Sequence, residues 1–337
     1  MQRDVAGLGN ALMDALVVVE NDAILEELDL HKGTMHLVDH SRWQQVYDRI
    51  REHKVTFDSG GSCANTIATI GFLGGNAIYC GQVGDDQMGA MYASRMTDAT
   101  GGHALRFTDA AATGKCLSII SADAERTMLT DLGAAVAMQG LGTYVDEVKQ
   151  AQVCHFTGYT LLEGPMRGTT LEAMLWARTS GARVSLDVAD PFVVDATRDI
   201  LWAILEQFVD VVFLNEDEAR ALTGESGEAA ARIIAERASV QTIVVKLGSK
   251  GSVVLHEGSA YSIEIDRVEA VDTTGAGDAY AGGFLFAYTR HWPPSACGGL
   301  ASSVAARTVA QVGAVVKDRP MLQSLVSRHS PSLAGAS

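Results

Sequence analysis

Val209-Asp210-Val211-Val212-Phe213-Leu214-Asn215-Glu216-Asp217-Glu218-Ala219-Arg220-Ala221-Leu222 sets an apolar, β-branched run directly before an acidic segment of helical spacing. The first part has the length and composition of a buried strand, and the second, from Asp217 to Leu222, continues as a helix. The same unit recurs on both sides. Val153–Phe156, Val184–Val188 and Thr242–Lys246 are short apolar runs, and Thr169–Thr179 is a helical partner. This βα rhythm predicts an α/β protein: a three-layer α/β/α, doubly wound, mainly parallel sheet with helices on both faces.

Two regions break the rhythm. Leu12–Glu20 and Gly33–Asp39 read as short strands around a small acidic helix, and Lys115–Ser121 and Arg126–Thr130 read as a hairpin turning at Ala122–Glu125. Neither pair carries its own crossover helix, so both are assigned to a small antiparallel β lid. The expected organisation is a core of residues 1–11, 41–104 and 132–326, a lid of 12–40 and 105–131, and a frayed tail of 327–337.

Composition narrows the function. The 337 residues carry 41 acidic and 26 basic side chains, a formal charge of −15, which repels polyphosphate backbones and anionic lipid, so neither nucleic acid nor a membrane is an expected partner. There is no apolar run long enough to span a bilayer and no signal-peptide pattern, so a cytoplasmic protein is expected, monomer or homodimer. Five scattered cysteines without a CxxC pair read as reduced, mostly buried thiols. His36 and His40 are four apart but lie in or beside a strand without HExxH, so no metal role is assigned to them. The 34 glycines exceed the usual share of about 7%.

Several of those glycines mark ligand-facing turns. Asp272-Thr273-Thr274-Gly275-Ala276-Gly277-Asp278 precedes the apolar helix Ala279–Tyr288. A glycine-rich helix start offers free N–H groups and the positive dipole end to an anion, and Asp278 adds a carboxylate beside it. That pairing suits phosphoryl transfer, which needs charge stabilisation and a proton acceptor for the attacking hydroxyl. The dipole predicts an ionised, weakly basic Asp278. Helix capping alone would account for the same spacing equally well.

Gly60-Gly61-Ser62-Cys63-Ala64-Asn65 runs into the helix Thr66–Leu73 and could hold a polyhydroxylated ligand through Ser62 and Asn65, or be an ordinary capped loop. Gly7-Leu8-Gly9-Asn10 lacks the third glycine of a dinucleotide fingerprint, since Leu12 stands there before a strand. Asn10 and Asp14 would instead present polar groups between sheet and lid. There is no GxxxxGK[ST], so a P-loop is excluded. Asn215 and Glu218, with Lys246-Leu247-Gly248-Ser249-Lys250-Gly251 after the next strand, sit where open α/β sheets bind ligands.

Together these segments resemble the PfkB, or ribokinase-like, family of carbohydrate and nucleoside kinases, from Val5 to about Val316. Asp272–Asp278 resembles its DTxGAGD signature, Gly60–Thr66 its GGxxAN signature and Asn215–Glu218 its NxxE motif. The resemblance implies ATP and Mg²⁺, with Asp278 as base and Gly275, Ala276 and Gly277 as the anion hole. It implies acceptor contacts from Asn10, Asp14, Gly60, Gly61, Ser62, Asn65 and Arg126. Asn215, Lys246, Gly248, Gly251 and Thr273 would line the ATP site, and Glu218 would organise magnesium through water. Asp272, Thr274 and Gly313 would hold a monovalent cation such as K⁺.

The opening Gly7–Asp14, the Ser62–Thr66 form of the loop and Arg126-Thr127-Met128 look more like the adenosine-kinase branch. Thr157-Gly158-Tyr159 stands where sugar kinases often carry a glutamate. A nucleoside 5′-hydroxyl is therefore the expected acceptor, a monosaccharide the alternative, and a non-catalytic ligand-binding regulator on the same fold the alternative of another class.

Overall fold

The structure is a computed structural model that describes residues 2–123 and 125–331. Its strands, in chain order, are Arg3–Leu8 (β1), Leu12–Val18 (β2), Met35–Leu37 (β3), Thr56–Gly60 (β4), Ala77–Cys80 (β5), Gln82–Gly84 (β6), Arg106–Thr108 (β7), Gly114–Ile120 (β8), Arg126–Asp131 (β9), Ala151–Thr157 (β10), Arg183–Asp187 (β11), Val211–Asn215 (β12), Thr242–Lys246 (β13), Ser252–His256 (β14) and Ser259–Ile263 (β15). Eight of them form the main sheet in the order β15-β14-β13-β12-β11-β10-β1-β5. From β13 to β5 every pairing is parallel, and β14 and β15 add an antiparallel edge.

Helices cover both faces, as an apolar sheet requires. On one side Tyr144–Gln150 (α5), Pro165–Ser180 (α6), Pro191–Gln207 (α7), Glu216–Thr223 (α8) and Gly227–Ala238 (α9) pack on Cys154, Leu186, Val212 and Ile243. On the other, Ser62–Phe72 (α3), Gln87–Thr100 (α4), Ala276–Tyr288 (α10), Pro294–Val309 (α11) and Arg319–His329 (α12) pack on Val153, Val211 and Val244. Ala279–Ala287 of α10 is buried without a break, which explains why its sequence is apolar on all sides. The tail expected to fray from residue 327 instead continues α12 to His329, its N-terminus capped by Asp318. Residues 332–337 lie outside the described residues.

The lid is a five-stranded sheet in the order β3-β9-β8-β2-β4. It is mixed rather than antiparallel: β2 pairs parallel with β8, and β3 with β9. The crossover that parallel pairing demands is supplied by the long core segments between the lid strands, which local spacing does not show. The β8–β9 hairpin is antiparallel as expected, and Ala124 of the expected turn lies outside the described residues. The lid also runs past the expected boundary at residue 40. Strand β4 pairs with β2, and His40–Ile50 (α2) lays Trp43, Val46 and Ile50 on Leu117, Ile119 and Leu129. With Ala23–Glu27 (α1), α2 covers one face of the lid and leaves the other open to the core.

Candidate active site

Functional side chains converge where the strand order reverses. The chain leaves β1 towards β5 on one side and towards β10–β13 on the other, and the crevice at such a switch point binds ligands. Asn10 follows β1, while Thr157, Asp187, Asn215 and Lys246 end β10, β11, β12 and β13. The N-terminus of α10 closes the same crevice.

Gly275 is the N-cap of α10 with φ +70°, a left-handed backbone that only glycine adopts without cost. A Cβ there would also lie 2.5 Å from the Cβ of Ala314. No side chain caps α10; the Ala276 N–H donates to the Thr273 carbonyl at 3.3 Å, while those of Gly275 and Gly277 stay available to an anion. Asp278, in the first turn, accepts hydrogen bonds from Ser62 Oγ (2.6 Å) and Asn65 Nδ2 (2.9 Å). The structure thus joins the two signatures, since α3 supplies the groups that orient the carboxylate of α10.

Burial raises Asp278 to a pKa of about 6, against the lowering donors Ser62 and Asn65. The expected weakly basic carboxylate is corrected here, because desolvation outweighs dipole and hydrogen bonds. A group near 6 is better matched to proton transfer at neutral pH.

Beneath the anion site Lys246 Nζ donates to Asp187 Oδ2 at 2.8 Å, with both side chains largely buried. A Cβ on Gly277 would lie 3.1 Å from that ammonium, which places its charge directly under the helix start. Asp187 and Glu218 hold Lys246 above the usual lysine range, although burial opposes the charge. Asp187 was not singled out from sequence; its signal was an acid at the C-terminal end of a buried strand.

Asn215 and Glu218 form a capping box. Asn215 Oδ1 accepts from the N–H of Asp217 and Glu218, and Glu218 Oε2 accepts from the Asn215 N–H at 2.8 Å. Burial pushes Glu218 up to about 7, against the lowering charge of Lys246. Capping and a position beside Lys246 therefore coincide. Lys246, Gly248, Gly251 and Thr273, with Ala276 and Gly277, line a mostly apolar cleft of about 650 Å³ that ends at the anion site. Asn215 is not among its lining residues, being turned into the capping box.

The roof of the crevice is the open face of the lid. Asp14 on β2 faces Asp58 of β4 and Cys116 of β8 across the sheet. Gly60 lets it do so, since a Cβ there would meet the Asp14 carboxylate at 2.2 Å. Burial lifts Asp14 to about 7, with Arg126 lowering it and Asp58 and Asp278 raising it. Asn10 Oδ1 and Asn65 Oδ1 are buried without partners among the described residues, as are Nε and Nη2 of Arg126. The crevice therefore presents two acceptors and the N–H groups of an arginine without hydrogen-bond partners, although Arg126 is ion-paired to Asp272. Gly61 N-caps α3.

Asp272, Thr274 and Gly313 meet: Asp272 Oδ1 accepts from the Thr274 N–H and Oδ2 from the Gly313 N–H, both at 3.0 Å, and Arg126 Nη2 lies 3.6 Å from Oδ2. His36 and His40 gather no ligand set. His40 Nδ1 is 3.3 Å from Asp131, and no group of three or more His, Cys, Asp or Glu suited to a metal occurs among the described residues. All five cysteines are free and buried. Among the described residues no helix is long and apolar enough to cross a membrane. Tyr159 places its phenol near Asp190 and Asp278, where burial raises its pKa.

An uncapped helix start beside a buried carboxylate, under a small five-stranded sheet, is the kind of arrangement a phosphotransferase acting on an alcohol group uses. The chain belongs to the pfkB family of carbohydrate kinases: the profile for pfkB family carbohydrate kinase matches residues 34–320. ATP is the donor expected throughout that family. The chain is similar to the adenosine kinase of Sinorhizobium meliloti, with a TM-score of 0.88 and 31% identity over 97% of this chain and 99% of that one. The same figures hold for a probable sugar kinase of Rhizobium etli CFN 42. It is 29% identical to fructokinase-1 of Oryza sativa subsp. japonica over 67% of this chain and 72% of that protein, and 26% identical to the adenosine kinase of Saccharomyces cerevisiae over 84% and 88%.

Proposed function

We propose that the protein transfers the γ-phosphoryl group of ATP to the primary hydroxyl of a nucleoside. The observation that carries the nucleoside over a free sugar is the open face of the lid. Residues that pair across strands share a face, so Leu16, Ser118, Met128 and Met35 form one row, and Asp14, Cys116, Thr130 and Leu37 the next. Leu37 is 65% exposed and Met35 45% exposed, an apolar shelf three strands along the same face from the Asp14 carboxylate. A ribose at Asp14 with a flat base on that shelf uses both; a monosaccharide leaves the shelf bare. The similarity to the Sinorhizobium meliloti adenosine kinase agrees with this reading but is matched by that to the Rhizobium etli probable sugar kinase, so the lid face alone carries the choice.

In this reading Asn10, Asp14, Gly60, Gly61, Ser62, Asn65 and Arg126 surround the acceptor. Asp278, held by Ser62 and Asn65, takes the proton as the hydroxyl oxygen attacks. The N–H groups of Gly275, Ala276 and Gly277 and the Lys246 ammonium stabilise charge on the transferring group. Asn215, Lys246, Gly248, Gly251 and Thr273 serve the ATP side. Glu218, buried beside Lys246, would hold a hydrated magnesium through water, and the metal would neutralise phosphate charge. The Asp272 carboxylate between the Thr274 and Gly313 loops would take part in a monovalent-cation site only with Arg126, now 3.6 Å from Oδ2, turned towards a bound ligand. An ADP-release assay over nucleosides and monosaccharides tests the reading, with adenosine expected to be turned over in preference to fructose.

A further inference from the structure

One loop touches both halves of the site. Gly313 is tied to Asp272 through its N–H, and Ala314 is seated so closely on Gly275 that no side chain would fit between them. Three residues on, Lys317 Nζ reaches across to the lid and pairs with Asp58 Oδ2 at 2.5 Å. Asp58 in turn is the cross-strand neighbour of Asp14. Asp14, Asp58, Gly313, Ala314 and Lys317 line one cavity of about 100 Å³ between lid and core.

We propose that Lys317 is a positioning residue: its ion pair with Asp58 makes the Gly313–Lys317 loop a strut joining the anion hole to the acceptor carboxylate, so that filling one site orders the other. The connection is contiguous and short. Moving Gly275 to accommodate a phosphate displaces Ala314, and Lys317 carries the displacement to β4 and hence to Asp14. An ion pair between partly exposed groups contributes little to stability, so the pair matters for coupling rather than for folding. Arg95 also approaches Asp58, at 3.4 Å, but it stands on α4 and has no link to the anion hole. Loss of Arg95 therefore leaves the strut intact.

The proposal rests on the reading of the α10 start as the phosphate site, and a test without any acceptor separates the two. Amide hydrogen exchange is measured on the full chain with and without AMP-PCP and magnesium, for the parent and for Lys317→Met, Asp58→Asn and Arg95→Gln. In the parent and in Arg95→Gln, the nucleotide analogue should slow exchange across residues 56–60 about 5-fold or more. In Lys317→Met and Asp58→Asn that slowing should vanish while the analogue still binds within about 3-fold of the parent affinity. The two variants remove opposite ends of the pair, so either one suffices if the other fails to fold. Equal slowing in parent and variants, or analogue binding that leaves 56–60 unchanged in the parent, overturns the strut. Failure of the parent to bind the analogue overturns the phosphate-site reading along with it.

Discussion

The two halves of the site are built differently. The core half is fixed by the main fold: Asp278 rides on a thirteen-residue helix buried between two others, and Lys246 and Asp187 end neighbouring parallel strands. The lid half stands on five strands whose dedicated cover, among the described residues, is α1 and α2. In the proposed reading, chemistry falls to the core half and selection to the slighter lid. Substitutions in the core half should therefore lower kcat, and substitutions in the lid should raise acceptor KM.

The largest break of that contrast comes from Asp278→Asn, which keeps the shape but removes the base. We expect kcat to fall by about 10³-fold or more with little change in ATP KM, read by steady-state ADP release. A fall confined to KM would place the base elsewhere. Lys246→Met leaves Asp187 buried without its partner, so it should lower kcat and also destabilise the fold by about 3 kcal/mol, measured by urea unfolding.

On the lid, Asp14→Asn removes a charge-assisted acceptor for the substrate's hydroxyls and should raise acceptor KM about 10- to 100-fold while kcat changes less. The smallest effect is the most selective. Leu37→Ser should raise nucleoside KM by about 3-fold and leave any turnover of a monosaccharide unchanged, since only a base reaches the shelf. Equal effects on both acceptor types would remove the lid's role in choosing between them.

The pH profile sharpens the core half. Asp278 accepts a proton only when ionised, and burial raises it to about 6, so activity is lost as pH falls through that value. Asp14, lifted to about 7, is likewise an acceptor only in its ionised form, which adds to the acid-side loss at subsaturating acceptor. The kcat limb at saturating acceptor isolates Asp278: a pH–rate profile of the parent that breaks near 6 agrees with the assignment, and one flat through that value contradicts it.

How far sequence reached follows the same division. The parallel core was legible because each strand and its helix are contiguous, as in Val209–Leu222, and because caps and glycines such as Gly275 act within a few residues. The lid was harder. Its parallel pairs join segments separated by whole core elements, so Leu12–Val18 and Gly114–Ile120 carry no local sign that they are neighbours. Trp43, Val46 and Ile50 announce an amphipathic helix, but not that its apolar face meets the lid instead of the core. Asp187 was missed because one acid at a strand end gains meaning only when Lys246 is seen beside it. Lys317 was missed for the same reason, since Asp58 is remote in sequence.

The central claim is that this site phosphorylates a nucleoside with Asp278 as the base. Its most direct measurement is the ratio of kcat/KM for adenosine to that for fructose in an ATP-coupled ADP-release assay, run on the parent and on Asp278→Asn. The account predicts a ratio above about 10 in the parent and turnover of both substrates near background in the variant. A ratio below one, or an Asp278→Asn enzyme as active as the parent, contradicts it.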